Sequence, residues 1–327
     1  MTTTSIPSNA ATSRPAVRHK KNWLPWLFVA PSFLIVLLVT IFPTLYSVWL
    51  SLHKWEATLK DKPFIGLGNY QALLTDGRFL HAALVTALLV VVGVALQMAF
   101  GFVFADFVAK GTFGHRLIVG LMLLPVMVMP VVVGYTWRLL WDAQYGPINQ
   151  MIGWIIGRPF QYTWLGQPST ALFAMLVTET WQWTPFMFII FYAGMLSLDS
   201  EVFEAAAMDG ASAWQQFWRL TVPLMRPIIA VAVLIRALDA LKAFDVVYTL
   251  TGGGPGTATE TLSFYIYQVG YQFFRLGYGA AGAIVMLICL SVLLTYLLRV
   301  LRLLLAWKGA SLCDGASATC RCQSSGS

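Results

Sequence analysis

Four ionisable residues recur at steps of three inside one apolar run: Arg236, Asp239, Lys242 and Asp245, in the stretch 228–250. Residues i and i+3 touch on a helix, so alternating signs at that step can form an internal ion ladder that cancels its own charge. The other reading of the pattern is a polar path. Asp239 and Lys242 then face water and hydrogen-bond a solute, while Arg236 and Asp245 anchor. Each ionisable group at membrane depth costs roughly 2.5–3.5 kcal/mol on insertion scales, which makes every one a functional candidate. A second apolar run, 171–195, carries Glu179, Trp181, Gln182 and Trp183 just before Pro185. Flat aromatic faces beside a carboxylate and an amide suit sugar rings, whose C–H faces stack while the hydroxyls need acceptors. An interfacial tryptophan belt is the competing reading, and the midway position of these residues along the run weighs against it.

No catalytic set is assigned. Gly252-Gly253-Gly254-Pro255-Gly256 lacks the Lys and the helix that must follow a phosphate loop, so no nucleotide cradle is expected on this chain. Cys289 sits in an apolar run and reads as a small packing residue. Cys313, Cys320 and Cys322 lie in a Ser/Gly/Ala-rich stretch without a nearby His. No metal is assigned there, and a disordered cytoplasmic tail with reduced thiols is expected.

Composition sets the elements that must position these groups. Of 327 residues, 58% are hydrophobic and 11% charged, against about a quarter charged in soluble domains. The chain reads as an all-α polytopic membrane protein. Its net charge of +7 lies mostly in short loops between apolar runs, which is a topology signal and not a nucleic-acid surface. Runs at 23–50, 82–105, 117–140, 171–195, 228–250 and 279–305 each hold about the 20 residues needed to cross roughly 30 Å of hydrocarbon. Six spans follow. The first run is too long for a signal-peptide core and lacks a small-residue cleavage site. Pro125 and Pro130 should kink the third span and Pro185 the fourth. The expected organisation is a disordered cytoplasmic tail (1–22), a first span with its outer loop (23–80), a core of five spans (81–305) and a cytoplasmic tail (306–327). Basic residues are more numerous on the side of the two termini, so both termini are expected in the cytoplasm.

The loop 199–227 joins the fourth and fifth runs and is patterned for helix. Asp199 or Ser200 can cap a first short helix, with Glu201 and Glu204 near its positive end and the good helix formers Ala205, Ala206 and Ala207 inside it. Gly210 supplies the left-handed stop. Ser212 and Gln215 fit a capping box for a second helix, on which Trp214, Phe217 and Trp218 make an i, i+3, i+4 stripe. Pro223 and Pro227 are expected to end the segment. Read alone, this helix–Gly–helix elbow is either a docking element or an amphipathic helix lying on the membrane.

Glu204-Ala205-Ala206, Asp209-Gly210-Ala211, Phe217, Leu220 and Pro223 resemble the EAA loop of ABC-importer permease subunits of type I architecture. The resemblance implies that Glu204, Ala205, Ala206, Asp209, Gly210, Trp214 and Phe217 seat in a groove on an ATP-binding subunit. Gly66 to Tyr70 (GLGNY), Phe244-Asp245, Tyr248, Leu250, Thr251, the TGGGP phrase and Thr259-Glu260-Thr261 look like the maltose-type carbohydrate branch of that family. Carried onto this chain, the solute path falls on Glu179, Trp183, Asp239, Lys242 and Ala243. Amides are common at several of these positions in the family. The charges here put simple maltose in doubt and leave room for a polyol, another disaccharide, or an aminated or phosphorylated sugar.

The function implied is half of the translocation path of an ATP-driven, binding-protein-dependent sugar importer in a bacterial or archaeal inner membrane. The implied partners are a second permease subunit, two ATP-binding subunits, an extracytoplasmic solute-binding protein and membrane lipid, with no nucleic acid. ATP and Mg belong to the ATPase, and this chain binds no cofactor and is no enzyme. The alternative is an ion-coupled secondary transporter with the ladder as its relay. Asp209, an acid at a helix C-terminus, should offset its unfavourable macrodipole contact by capping the second helix or bonding a partner.

Overall fold

A computed structural model describes residues 24–111 and 114–320. Residues 1–23, including the basic cluster Arg18-His19-Lys20-Lys21, lie outside the described residues, as do 321–327 with Cys322. Contacts divide the chain into the units Met1–Tyr46 and Ser47–Ser327. Helix α1 (Leu24–Ser51) begins in the first and carries no charged residue along its length.

The second unit is helical, and among the described residues the only bridge of strand type joins His53 and Phe64. Its elements are α2 (Gly68–Thr75), α3 (Gly77–Ala109), α4 (His115–Met127), α5 (Pro130–Leu140), α6 (Pro147–Ile156), α7 (Pro168–Leu196), α8 (Ser200–Met208), α9 (Ala213–Ala240), α10 (Asp245–Leu250), α11 (Leu262–Tyr267) and α12 (Leu276–Cys320). Among the described residues four helices are long and apolar enough to cross a membrane, or up to six if each of two bent pairs is one span. The six-span expectation is met on the second count.

Four boundaries differ from the sequence reading. The third apolar run is not one kinked helix, because α4 and α5 meet at 96°. Val128 and Met129 are extended, as the residue before Pro130 must be to avoid the proline ring. Pro223 does not end the second elbow helix, which continues as α9 to Ala240 through a π-helical turn at Phe217–Thr221. Pro223 lacks the N–H that a regular turn would use, and the widened turn just before it absorbs the mismatch. The fifth run instead breaks after Ala240, so Lys242 lies in a turn and Asp245 starts the separate α10. At the far end, residues 306–320, expected as disordered tail, continue α12. Extending an existing helix needs no new nucleus.

Phe102 on α3, Met187, Phe188 and Phe191 on α7 and Met225 on α9 form one buried cluster. A second joins Val85, Trp141, Met175 and Phe264 to Val247 and Leu250 of α10. Packing on both sides fixes where the end of α9 and the start of α10 meet.

Candidate functional site

The break between α9 and α10 opens a cavity of about 230 Å³ lined by Glu179, Trp183, Arg236, Asp239, Lys242 and Ala243, among others. All five residues expected on the solute path therefore share one cavity. Their roles differ from the ladder expected. Arg236 is the hub: its side chain is 2% exposed and its guanidinium donates to Glu179 Oε2 at 2.7 Å, Asp239 Oδ2 at 2.9 Å and Gln97 Oε1 at 2.8 Å. It also lies 4.6 Å from the centroid of the Trp183 ring, so that ring face already carries a cation.

Asp239 pairs with Arg236 and not with Lys242. Among the described residues Lys242 and Asp245 have neither hydrogen-bonded nor ionic side-chain partners, and both are exposed. The ladder stops where the helix stops, and free charge faces the cavity only beyond that point.

Trp181 and Gln182 do not line the cavity. Trp181 packs edge-on to Trp137, with ring centroids 5.5 Å apart. The Gln182 amide donates to the Val128 carbonyl at 3.3 Å, covering an acceptor freed by the α4–α5 break. Gln97 was missed. It is 1% exposed and also donates to the Glu179 carbonyl at 3.2 Å. A lone amide inside the apolar stretch VALQMAF was the signal that pointed to it. A larger cavity of about 950 Å³ is walled by Leu96, Phe100, Phe104, Leu121, Phe173 and other mostly apolar residues. It has the chemistry of hydrocarbon and not of a polar solute.

The elbow is built as its sequence dictates. Asp199 caps α8 by accepting from the Glu201 amide at 3.0 Å. Gly210 takes φ +78°, the Ala211 amide donates to the Ala206 carbonyl and the Gly210 amide to that of Ala207. That is the paired closure of a left-handed helix stop. Ser212 and Gln215 bond each other's amides at 2.9 and 3.3 Å, so the cap of the second helix is Ser212 and not Asp209. Asp209 is exposed without a side-chain partner among the described residues.

Glu204, Ala205, Asp209, Gly210 and Trp214 are exposed, while Ala206 and Phe217 are half-buried. Met208 and Trp214 are 88% and 70% exposed. Phe217 instead turns inward, edge-on to Phe102 of α3 at 5.4 Å, and Phe102 meets Phe191 of α7 at 5.3 Å.

Elbow and cavity are the two ends of one helix. α9 starts at Ala213 in the elbow and carries Arg236 and Asp239 in its last turns. At 1.5 Å per residue the distance between them is on the order of 35 Å. Trp214 and the polar cavity thus lie at opposite ends of one helix.

Known proteins fit this arrangement. Residues 97–306 match the family described as "Binding-protein-dependent transport system inner membrane component". The chain is 34% identical over 286 residues to the trehalose/maltose transport system permease protein MalF of Thermococcus litoralis, covering 87% of this chain and 94% of that one. It is 32% identical over 294 residues to the trehalose transport system permease protein SugA of Mycobacterium tuberculosis, covering 89% and 93%. In fold it resembles a chain from the crystal structure of a bacterial ABC transporter involved in alginate import, with a TM-score of 0.73 at 22% identity over 86% of this chain and 95% of that one. The apolar spans, the capped elbow and the sequence match together make this chain a member of the binding-protein-dependent transport system inner membrane component family, a multi-pass subunit of the inner membrane.

Proposed function

We propose that this chain forms half of the translocation path of an ATP-driven importer for a sugar or polyol. A second permease subunit supplies the other half, two ATP-binding subunits seat on the elbows, and an extracytoplasmic binding protein delivers the solute. Both termini lie in the cytoplasm. ATP and Mg are held by the ATPase, and this chain holds no cofactor. The observation that carries the reading is the continuity of α9 from the exposed Trp214 to Asp239 beside the cavity. Closure of the ATPase dimer draws the elbows together, and the helices rock about the site near the middle of the membrane.

The cavity of about 230 Å³ is smaller than the roughly 300–1,000 Å³ of a complete small-molecule site, as one wall of a two-subunit path should be. Asp239, Lys242 and Asp245 offer acceptors and donors to hydroxyl groups. The names of relatives that are about a third identical along most of their length support the sugar class. An ion relay finds less support, because each guanidinium nitrogen of Arg236 already donates to a fixed partner and the ladder is interrupted. The test is uptake into proteoliposomes holding the whole assembly, with a panel of disaccharides and polyols. Uptake that needs ATP and ignores a protonophore supports the reading, and uptake that collapses with the protonophore and persists without the ATPase overturns it.

A further inference from the structure

The unwound segment between α9 and α10 lies where backbone groups need partners, because a broken helix frees carbonyls that neither lipid nor helix can satisfy. Two hydroxyls meet them, one from the loop that precedes α11 and one from the first turn of α11. Thr261 Oγ1 donates to the Ala243 carbonyl at 2.9 Å, and Ser263 Oγ to the Leu241 carbonyl at 3.5 Å. The loop that ends at Thr261 is closed on itself, and its last three residues are buried. Thr259 Oγ1 donates to the Gly254 carbonyl at 2.8 Å and sits 2.7 Å from Thr251 Oγ1, and Thr259, Glu260 and Thr261 are all 0% exposed.

A buried carboxylate is tolerable only when paired and hydrogen-bonded. Glu260 receives a fork from Arg78: Nε to Oε2 and Nη2 to Oε1, both 2.8 Å. Arg78 also donates to Gln268, and the Leu262 amide donates to Thr86 Oγ1 at 2.8 Å. The loop is thereby fastened to the first turns of α3, at the end of that helix opposite the elbow, which lies near Asp106 and Lys110.

We infer that Thr259-Glu260-Thr261 is a strap: Arg78 and Glu260 fix the loop, and Thr261 in turn fixes the segment that presents Lys242 and Ala243 to the cavity. Glu260 and Thr261 are positioning residues for solute recognition. They touch no solute themselves. The geometric part stands on these contacts alone, and its consequence for recognition rests on the function proposed above.

The geometric part is tested on the full assembly in lipid nanodiscs and needs no known solute, and the solute arm uses the same assembly in proteoliposomes with a sugar found in the uptake panel. Amide hydrogen exchange is followed across residues 238–246, with α7 as an internal control. Thr261→Val keeps the shape and loses the hydroxyl, and exchange in 241–244 is expected to rise roughly tenfold, the upper end for one lost hydrogen bond. The α7 amides should stay unchanged, and Thr261→Ser should restore protection. In a Lys242→Cys background, the rate of modification by a charged thiosulfonate should change in parallel for Thr261→Val and Glu260→Gln. Equal rises in both regions mean general loosening and overturn the strap, as does no rise in either. If Asp239→Asn and Lys242→Met leave the half-saturating concentration for sugar uptake unchanged while the exchange result holds, only the assignment of the solute site fails.

Discussion

Replacing Arg236 by Met tests whether the charges beside the cavity form a fixed network. The change keeps most of the side-chain length and removes the guanidinium that reaches Gln97, Asp239 and Glu179 at 2.7–2.9 Å. Glu179 decides the magnitude. Its side chain is only 10% exposed, and breaking a buried pair by deleting one partner costs about 3–5 kcal/mol because the remaining charge is unsolvated. Asp239 contributes little, since its side chain is 45% exposed and water replaces much of what it loses. Against typical stabilities of about 5–15 kcal/mol, the loss should appear as a large fall in the apparent melting temperature of the protein in nanodiscs, read by intrinsic fluorescence. Adding Glu179→Gln should recover most of the loss, because a pair removed as a whole leaves no stranded ion. Lys242→Met, at an exposed and unpaired position, should stay within about 0.5 kcal/mol. A single variant that loses under about 1 kcal/mol, or a double variant no better than the single, would refute the buried network.

Three further outcomes follow from the same geometry. Gly210→Val meets no atom within 4 Å but is forced to φ +78°, a strain of roughly 1–2 kcal/mol. It should lower sugar uptake per ATP hydrolysed, with membrane insertion unchanged, as measured by parallel phosphate-release and uptake assays. Gly134→Ala would set a Cβ 1.7 Å from Thr249 Oγ1, so a substitution that normally favours a helix by about 1 kcal/mol should lower the melting temperature here, and Thr249→Ala should partly relieve it. Asp76 is opposed by burial, yet the hydroxyls of Tyr265 and Tyr278 and the amides of Arg78 and Phe79 hold its carboxyl below the ordinary value. Its lowered value in the fold means that its contribution is present at neutral pH and is lost as pH falls through the folded value, so denaturation midpoints should drop on the acid side for the parent and less for Asp76→Asn.

The elbow was legible almost atom by atom, because its signals are local: Asp199 and Ser212 are caps, Gly210 is the stop, and each acts on amides within five residues. The end of the fifth span was not. Nothing in Leu241-Lys242-Ala243-Phe244 breaks a helix by itself, and the carbonyls freed by the break are met by Thr261 and Ser263, from 18 and 22 residues away. Arg236 was named as an anchor, but its choice of Glu179 and Gln97 over a ladder depends on how α3, α7 and α9 pack, which spacing along one helix cannot contain. Pro223 misled for a physical reason as well. A proline announces a disturbed turn, and the sequence does not say whether the chain answers with a stop or with a π-turn.

The claim that most of this account rests on is that the elbow meets a separate ATPase and moves with it. Cross-linking from Trp214→Cys, in the purified assembly and in right-side-out vesicles, tests it most directly. The account predicts a cross-link to the ATP-binding subunit whose yield changes when ATP replaces ADP, and no labelling of residue 214 by an impermeant reagent added outside. Labelling from outside, or a cross-link of identical yield in every nucleotide state, would contradict it.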